Sequence, residues 1–320
     1  MESSYLAPIW LPGRHAQTIF PALYLSPKDL SYRRERWDTP DQDFIDLDWI
    51  DGPPGSPLVV LFHGLESNSG AHYALALMHA VKASGMTGVV VHFRGCSGEI
   101  NRQPRAYHSG DTEELDWILQ RLRQTHASRN IFAVGVSLGG NVLLKWLGKK
   151  GPEASNILNA AATVSAPVDL LEAASALDRG FNKITYTRNF LKSLKVKALL
   201  KLARYPGLFD RKAMLRATTF FEFDDLYTAP VHGFRNAHHY WQEASSKPWL
   251  KYIAVPTLMI NARNDPMMPE QALPKGSQVS GSVTLEFPDT GGHVGFATGS
   301  FPGNIQWPYR RILDFLQTVR

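Results

Sequence analysis

The sequence predicts an α/β fold: a mostly parallel, twisted sheet of eight strands flanked by helices, with a helical insertion. Three observations carry that expectation. Continuous apolar runs at 58–62 and 88–93 suit strands buried on both faces. Helix-spaced segments separate such runs, and strands alternating with helices argue for parallel pairing. Between residues 168 and 251 the alternation stops, and a mainly helical stretch too long for a loop takes its place.

Taken in order, residues 5–25 are rich in proline and aromatics, without a clean period, and read as an arm packed on the body. Residues 32–37 and 44–50 form a leading strand pair. In the second, Ile45, Leu47 and Trp49 alternate with Asp46 and Asp48, and a Gly/Pro turn follows at 51–55. The strand at 58–62 leads to a helix at 73–84 and a strand at 88–93. A helix at 112–123, with Leu115, Ile118, Leu119 and Leu122 on one face, leads into a strand beginning at Ile131. Strands at 157–165, 256–261 and 283–287 and a helix at 307–319 complete the chain. Residues 1–320 read as one domain, with 168–251 as a helical lid inserted into it.

With 44% apolar and 20% charged residues, the 320-residue chain can bury a substantial core. A single cysteine, Cys96, excludes an internal disulfide framework and suits a reducing, cytoplasmic setting. Residues 1–4 carry neither a basic nor an apolar leader pattern, and no apolar run reaches the length of a membrane span. The net charge of +5 is concentrated, because residues 181–216 hold ten Lys or Arg against one acid, Asp210. On a helical projection Lys192 and Lys195 fall nearly opposite Lys197 and Lys201. No single basic face results, so a solvated lid surface is expected and membrane association is not demonstrated.

Residues 131–141 read I-F-A-V-G-V-S-L-G-G-N. A serine at a sharp strand-to-helix turn needs small neighbours two residues away on each side, here Gly135 and Gly139. Ser137 is therefore the candidate nucleophile, in the G-x-S-x-G elbow typical of α/β-hydrolases. A serine hydroxyl needs a base to take its proton and an acid to orient that base, in the chain order Ser, Asp or Glu, His. Asp265 follows the strand at 256–261, and His293 follows the last strand in G-G-H-V-G. Asp224 and Asp225 fall in the insertion, and Asp289 is too near His293 in sequence to orient it. The oxyanion of an acyl-transfer intermediate needs two donors. The amide of Leu138, next to the nucleophile, is one. That of Leu65, in the His63–Gly64–Leu65 loop after the third strand, is the other. His63 precedes the serine and is expected to hold this loop. No metal-ligand set is visible, no cofactor is expected, and nucleic-acid motifs are absent. The H-x-x-x-x-D pattern that accompanies acyl transfer in relatives of this fold is missing.

Further motifs extend across the chain: R-H-A-Q-T at 14–18, H-G-L-E-S at 63–67, F-R-G-C-S-G-E at 93–99 and Y-H-S-G-D-T at 107–112. F-D-D at 223–225, T-A-P-V-H-G-F at 228–234, A-R-N-D-P at 262–266 and G-G-H at 291–293 follow. On these the sequence resembles the YheT-like branch of the α/β-hydrolases, carboxylesterases with eukaryotic relatives acting on acylglycerols and phospholipids. The resemblance implies a triad at Ser137, Asp265 and His293, the residues reached independently above. It departs at Asn264, where relatives often carry a second Asp. The expected activity is cleavage of a small carboxylic ester through an acyl-enzyme. The rivals are an interfacial lipase, phospholipase or acylglycerol lipase, then a thioesterase, an acyltransferase or a non-catalytic binding protein. Oligomeric state and natural ester are not given by the residues.

Overall fold

A computed structural model describes residues 5–319. Residues 1–4, read above for the absence of a leader, lie outside the described residues. The strands are β1 (Arg33–Asp38), β2 (Phe44–Ile50), β3 (Leu58–Phe62), β4 (Thr87–Val91), β5 (Ile131–Val136), β6 (Ala160–Val164), β7 (Thr257–Ile260) and β8 (Val283–Glu286). Helices α1 (Arg14–Tyr24), α2 (His72–Ala83), α3 (Thr112–Thr125) and α4 (Leu138–Lys150) precede β6. Between β6 and β7 lie α5 (Leu170–Leu177), α6 (Gly180–Asn182), α7 (Arg188–Arg204), α8 (Arg211–Arg216), α9 (Phe220–Phe223), α10 (Ala229–Val231) and α11 (Ala237–Ala244). Helix α12 (Trp307–Thr318) ends the fold.

The strands form one sheet in the order β1-β2-β4-β3-β5-β6-β7-β8. Only the β1–β2 and β2–β4 pairs are antiparallel; β4 through β8 run parallel. The continuous apolar runs have a direct use here, because neighbouring side chains point to opposite faces. Leu58, Val60 and Phe62 join a core with Leu143 and Leu147 of α4. Val59 and Leu61 face the other way, toward Leu77 of α2 and Ile312 of α12. Each such buried side chain stabilises the fold by roughly 1.5–3 kcal/mol. The same parallel arrangement gathers the loops after β3, β5, β7 and β8 at the strands' carboxyl ends.

Two expectations change, and β2 adds a finding of its own. The arm contains a regular helix, α1, hidden in the sequence by Pro21 in its second half. Proline has no N–H for the carbonyl of Gln17, one turn back, and that carbonyl instead lies against Gly295, where a Cβ would approach it to 1.8 Å. Strand β2 is buried at every position, its aspartates included. Asp46 and Asp48 are covered because Arg36 and Arg34 of β1 make two-pronged ion pairs with them at 2.7–2.9 Å. Finally, Lys197 and Lys201 of α7 are not on a solvated surface. Lys197 Nζ reaches Glu66 Oε1 at 2.8 Å, and Lys201 Nζ donates to the carbonyls of Asn101 and Gln103. A buried ammonium requires such acceptors, and burial lowers the Lys201 pKa to about 8. The opposed placement of the lysines on the helical projection was the trace of this inward turn. In contrast, Val196 and Leu200 of α7 are 56% and 48% exposed.

Candidate active site

The turn between β5 and α4 holds Ser137 at φ 51°, ψ −121°, a sparsely populated conformation costing about 1–3 kcal/mol. The strain falls on the serine itself. Its flanking glycines are required for another reason, close approach. A Cβ on Gly135 would lie 2.6 Å from Gly140 Cα, and one on Gly139 would lie 2.3 Å from Phe62 O. The elbow is thereby pressed against the end of β3, and Gly139 N–H donates to His63 O at 3.2 Å.

The loops after β7 and β8 bring Asp265 and His293 to this serine. His293 Nδ1 lies 2.8 Å from Asp265 Oδ2, and His293 Nε2 lies 3.0 Å from Ser137 Oγ. Asp265 is 2% exposed, and its other oxygen accepts from the amides of Met267 and Met268. A carboxylate so held can only accept from imidazole, which puts the ring proton on Nδ1 and leaves the Nε2 lone pair facing the hydroxyl. Asp289 is elsewhere, paired with Arg263 at 3.4 Å.

The loop after β3 closes on the serine from the opposite side. A Cβ on Gly64 would stand 3.3 Å from Ser137 Cβ, so a side chain there would crowd the hydroxyl. Gly64 N–H donates to Tyr73 Oη at 2.7 Å and Glu66 N–H to Tyr107 Oη at 2.8 Å. The intervening Leu65 amide takes no protein acceptor among the described residues, and neither does that of Leu138. Both leucines line a cavity of about 140 Å³ that also includes Ser137 and His293. His63 is fully buried; its Nε2 accepts from Phe93 N–H at 3.1 Å, so its Nδ1–H donates to Gly64 O at 2.7 Å. Burial lowers its pKa to about 3, so it stays neutral and holds the loop.

Several contributors were not singled out from the sequence. Tyr73 and Tyr107 anchor the loop around Leu65, and Glu66, at φ 54°, is tied to the insert through Lys197. The cavity's remaining wall is largely apolar and comes from the insert, including Leu170, Ala174, Phe190, Phe220 and Trp241. Asp224 interrupts that wall; burial pushes its pKa up to about 6 despite bonds from Thr228 and Trp241. Cys96 is buried and burial pushes its thiol up to about 11, so it is no nucleophile. Among the described residues no group of three or more His, Cys, Asp or Glu could hold a metal, and no helix is long and apolar enough to cross a membrane.

A serine on such an elbow, at the carboxyl edge of a mostly parallel sheet, is the arrangement of the α/β-hydrolases. The chain belongs to that family: the sequence model for the alpha/beta hydrolase fold matches residues 57–300. Within it the chain falls in the YheT-like branch. It is 40% identical over 312 residues to YheT of Escherichia coli (strain K12), named as an esterase, covering 95% of this chain and 90% of that one. It is 29% identical to the phospholipase ABHD3 of Mus musculus, covering 100% of this chain and 79% of that protein. Among solved structures, the Pyrococcus furiosus esterase Pf2001 superposes with a TM-score of 0.60 at 16% identity, over 92% of this chain and 96% of that one. Fold and relatives together make the protein a hydrolase of the esterase–lipase type.

Proposed function

We propose that the protein cleaves carboxylic esters through an acyl-enzyme on Ser137. One observation carries this reading: the hydrogen-bonded line Asp265–His293–Ser137 ends in a cavity flanked by two unengaged amides. The ester carbonyl enters beside Ser137. His293 Nε2 takes the hydroxyl proton as Oγ attacks, and Asp265 keeps the ring oriented while stabilising the imidazolium. The amides of Leu65 and Leu138 receive the oxyanion, where each donor is worth roughly 2.7–4 kcal/mol. His293 then protonates the departing alcohol, and water activated by the same nitrogen releases the acid. The apolar wall of the insert accepts the acyl group, giving residues 168–251 the role of a lid over one hydrolase domain. The single buried cysteine supports a reducing, cytoplasmic setting.

A fluorophosphonate probe tests the assignment. Labelling of the intact protein at Ser137, abolished together with hydrolysis of short p-nitrophenyl esters in Ser137→Ala, is the expected result. Turnover retained by the purified variant would overturn it. A second reading, an interfacial lipase, is favoured by the apolar side chains that the insert leaves outward: Phe181 is 46% exposed and Ile184 65%. Its mark is a rise in rate on anionic vesicles that disappears with added salt.

A further inference from the structure

The R-H-A-Q-T segment lies in α1, far in sequence from every residue given a role above, yet two of its side chains bond directly to the loops carrying Asp265 and His293. Thr18 Oγ accepts from the amide of His293 itself at 2.9 Å. Its own proton goes to Arg14 O at 2.7 Å, one turn back, so its lone pairs are turned outward in advance. Gln17 Oε1 accepts from Gly291 N–H at 3.0 Å and from Asn264 Nδ2 at 2.9 Å, while its Nε2 donates to Leu11 O at 3.0 Å. Asn264 Oδ1 in turn accepts from Gly292 N–H at 3.0 Å. Backbone amides can only donate, so the orientation of both carboxamides is forced. Asn264 also acquires a reason: its NH2 group is the donor that Gln17 Oε1 requires. A carboxylate at 264 would present that oxygen with another acceptor.

The His293 loop needs holding. Gly291 and Gly292 have φ of 147° and 64°, and Val294 and Phe296 are at 57° and 42°, a region that costs side-chain-bearing residues about 1–3 kcal/mol each. Such a run persists only where its surroundings dictate it. Ser165 Oγ fixes the amide of Val294 at 3.0 Å, and α1 fixes those of Gly291 and His293. The contact leaves no slack: a Cβ at Gly292 would lie 2.7 Å from Thr18 Oγ, and one at Gly295 would lie 1.8 Å from Gln17 O. Gln17 and Thr18 are 3% and 7% exposed, so water does not compete for these bonds.

We propose that Gln17 and Thr18 are positioning residues: α1 clamps the acid-bearing and base-bearing loops together, setting the His293 ring on the line between Asp265 and Ser137. The proposal rests on the serine-hydrolase reading. It predicts a loss in the chemical step and not in ester binding, because neither residue lines the cavity; a misplacement near 1 Å costs on the order of 100-fold. In folded Thr18→Val and Gln17→Leu, kcat for p-nitrophenyl butyrate falls about 10- to 100-fold while KM stays within about twofold. Fluorophosphonate labelling slows in parallel. Thr18→Ser, which keeps the oxygen, stays within about threefold of the parent. Should one of the two loss variants not fold, the other carries the same test. Parental kcat in these variants beside an inactive Ser137→Ala overturns the clamp alone, as does an equal loss in Thr18→Ser. Turnover retained by Ser137→Ala overturns the hydrolase reading and the clamp with it.

Discussion

Among the described residues, two clusters join serine, histidine and aspartate side chains by hydrogen bonds, and they differ in which member stands in the middle. On the β2–β4 side, Asp48 is central: Oδ2 accepts from Ser69 Oγ at 2.5 Å and contacts His92 Nε2 at 2.8 Å. Arg34 bonds both oxygens of the same carboxylate, and the remaining nitrogen of His92 is buried without a partner. In the other cluster His293 is central, and the hydroxyl faces a free imidazole lone pair. The first arrangement saturates a charge; the second leaves an imidazole lone pair beside a hydroxyl, as the proposed chemistry requires. Exposure separates them further. His92 is 1% exposed and shut in the fold, whereas the side chain of His293 is 11% exposed and borders the cavity. Composition alone does not define a triad; connectivity and an open side do.

The largest expected contrast is in turnover. Ser137→Ala and His293→Ala are expected to lose ester hydrolysis by on the order of 10⁶-fold, the loss found on deleting either the nucleophile or the base of a serine protease triad. Ser69→Ala should stay within a few-fold. Equal losses in a steady-state assay would erase the distinction drawn here.

The aspartates should divide in the opposite sense. Asp265→Asn is expected to lower kcat about 10⁴-fold by allowing the wrong imidazole tautomer, with a modest effect on unfolding. Asp48→Asn should leave kcat nearly intact and cost about 1.5–3 kcal/mol in urea unfolding, since the buried carboxylate loses its charge-assisted bonds while Arg34, half exposed, regains water. A variant of Asp48 as stable as the parent would show that this cluster is not structural.

The smallest contrast is in pH. Burial works against ionised Asp48, but the bonds from Arg34, His92 and Ser69 outweigh it and hold the pKa well below the usual carboxylate range. Its contribution to stability is present above pH about 4 and lost as pH falls through the folded value. Asp224 runs the other way. Burial raises it to about 6, so its neutral form is favoured in the fold, and the benefit present below pH about 4 is lost as pH rises through 6. Asp224→Asn should therefore gain on the parent between pH 4 and 7, by on the order of 1–3 kcal/mol in denaturant midpoints. A difference independent of pH would remove Asp224 as a titrating group.

The strands were legible because apolar runs covered on both faces leave an unmistakable trace, as at Val59 to Leu61. The elbow was legible because three glycines and a serine must crowd one turn. Asp265 and His293 were reachable because parallel topology sends the loops after β7 and β8 to the same edge. What stayed hidden depends on partners remote in sequence. Pro21 masks α1, and nothing near Gln17 or Thr18 announces acceptors destined for Gly291 and His293. That Asp46 and Asp48 are covered could not be read locally, because their arginines sit on another strand. Lys197 and Lys201 looked solvated because their acceptors, Glu66 and the carbonyls at 101 and 103, lie about 100 residues or more away.

The contact of α1 with the last loop of the site also fixes an order in time. Thr18 and His293 are 275 residues apart, so α1 leaves the ribosome long before the loop it bonds to has been made. At ~5–20 residues per second that interval is roughly 15–60 seconds. A nascent chain halted between α4 and the loop after β8 carries Ser137 but neither His293 nor the Gly291 amide that α1 bonds. Synthesis thus completes the Ser137–His293 pair only once the loop after β8 has been made.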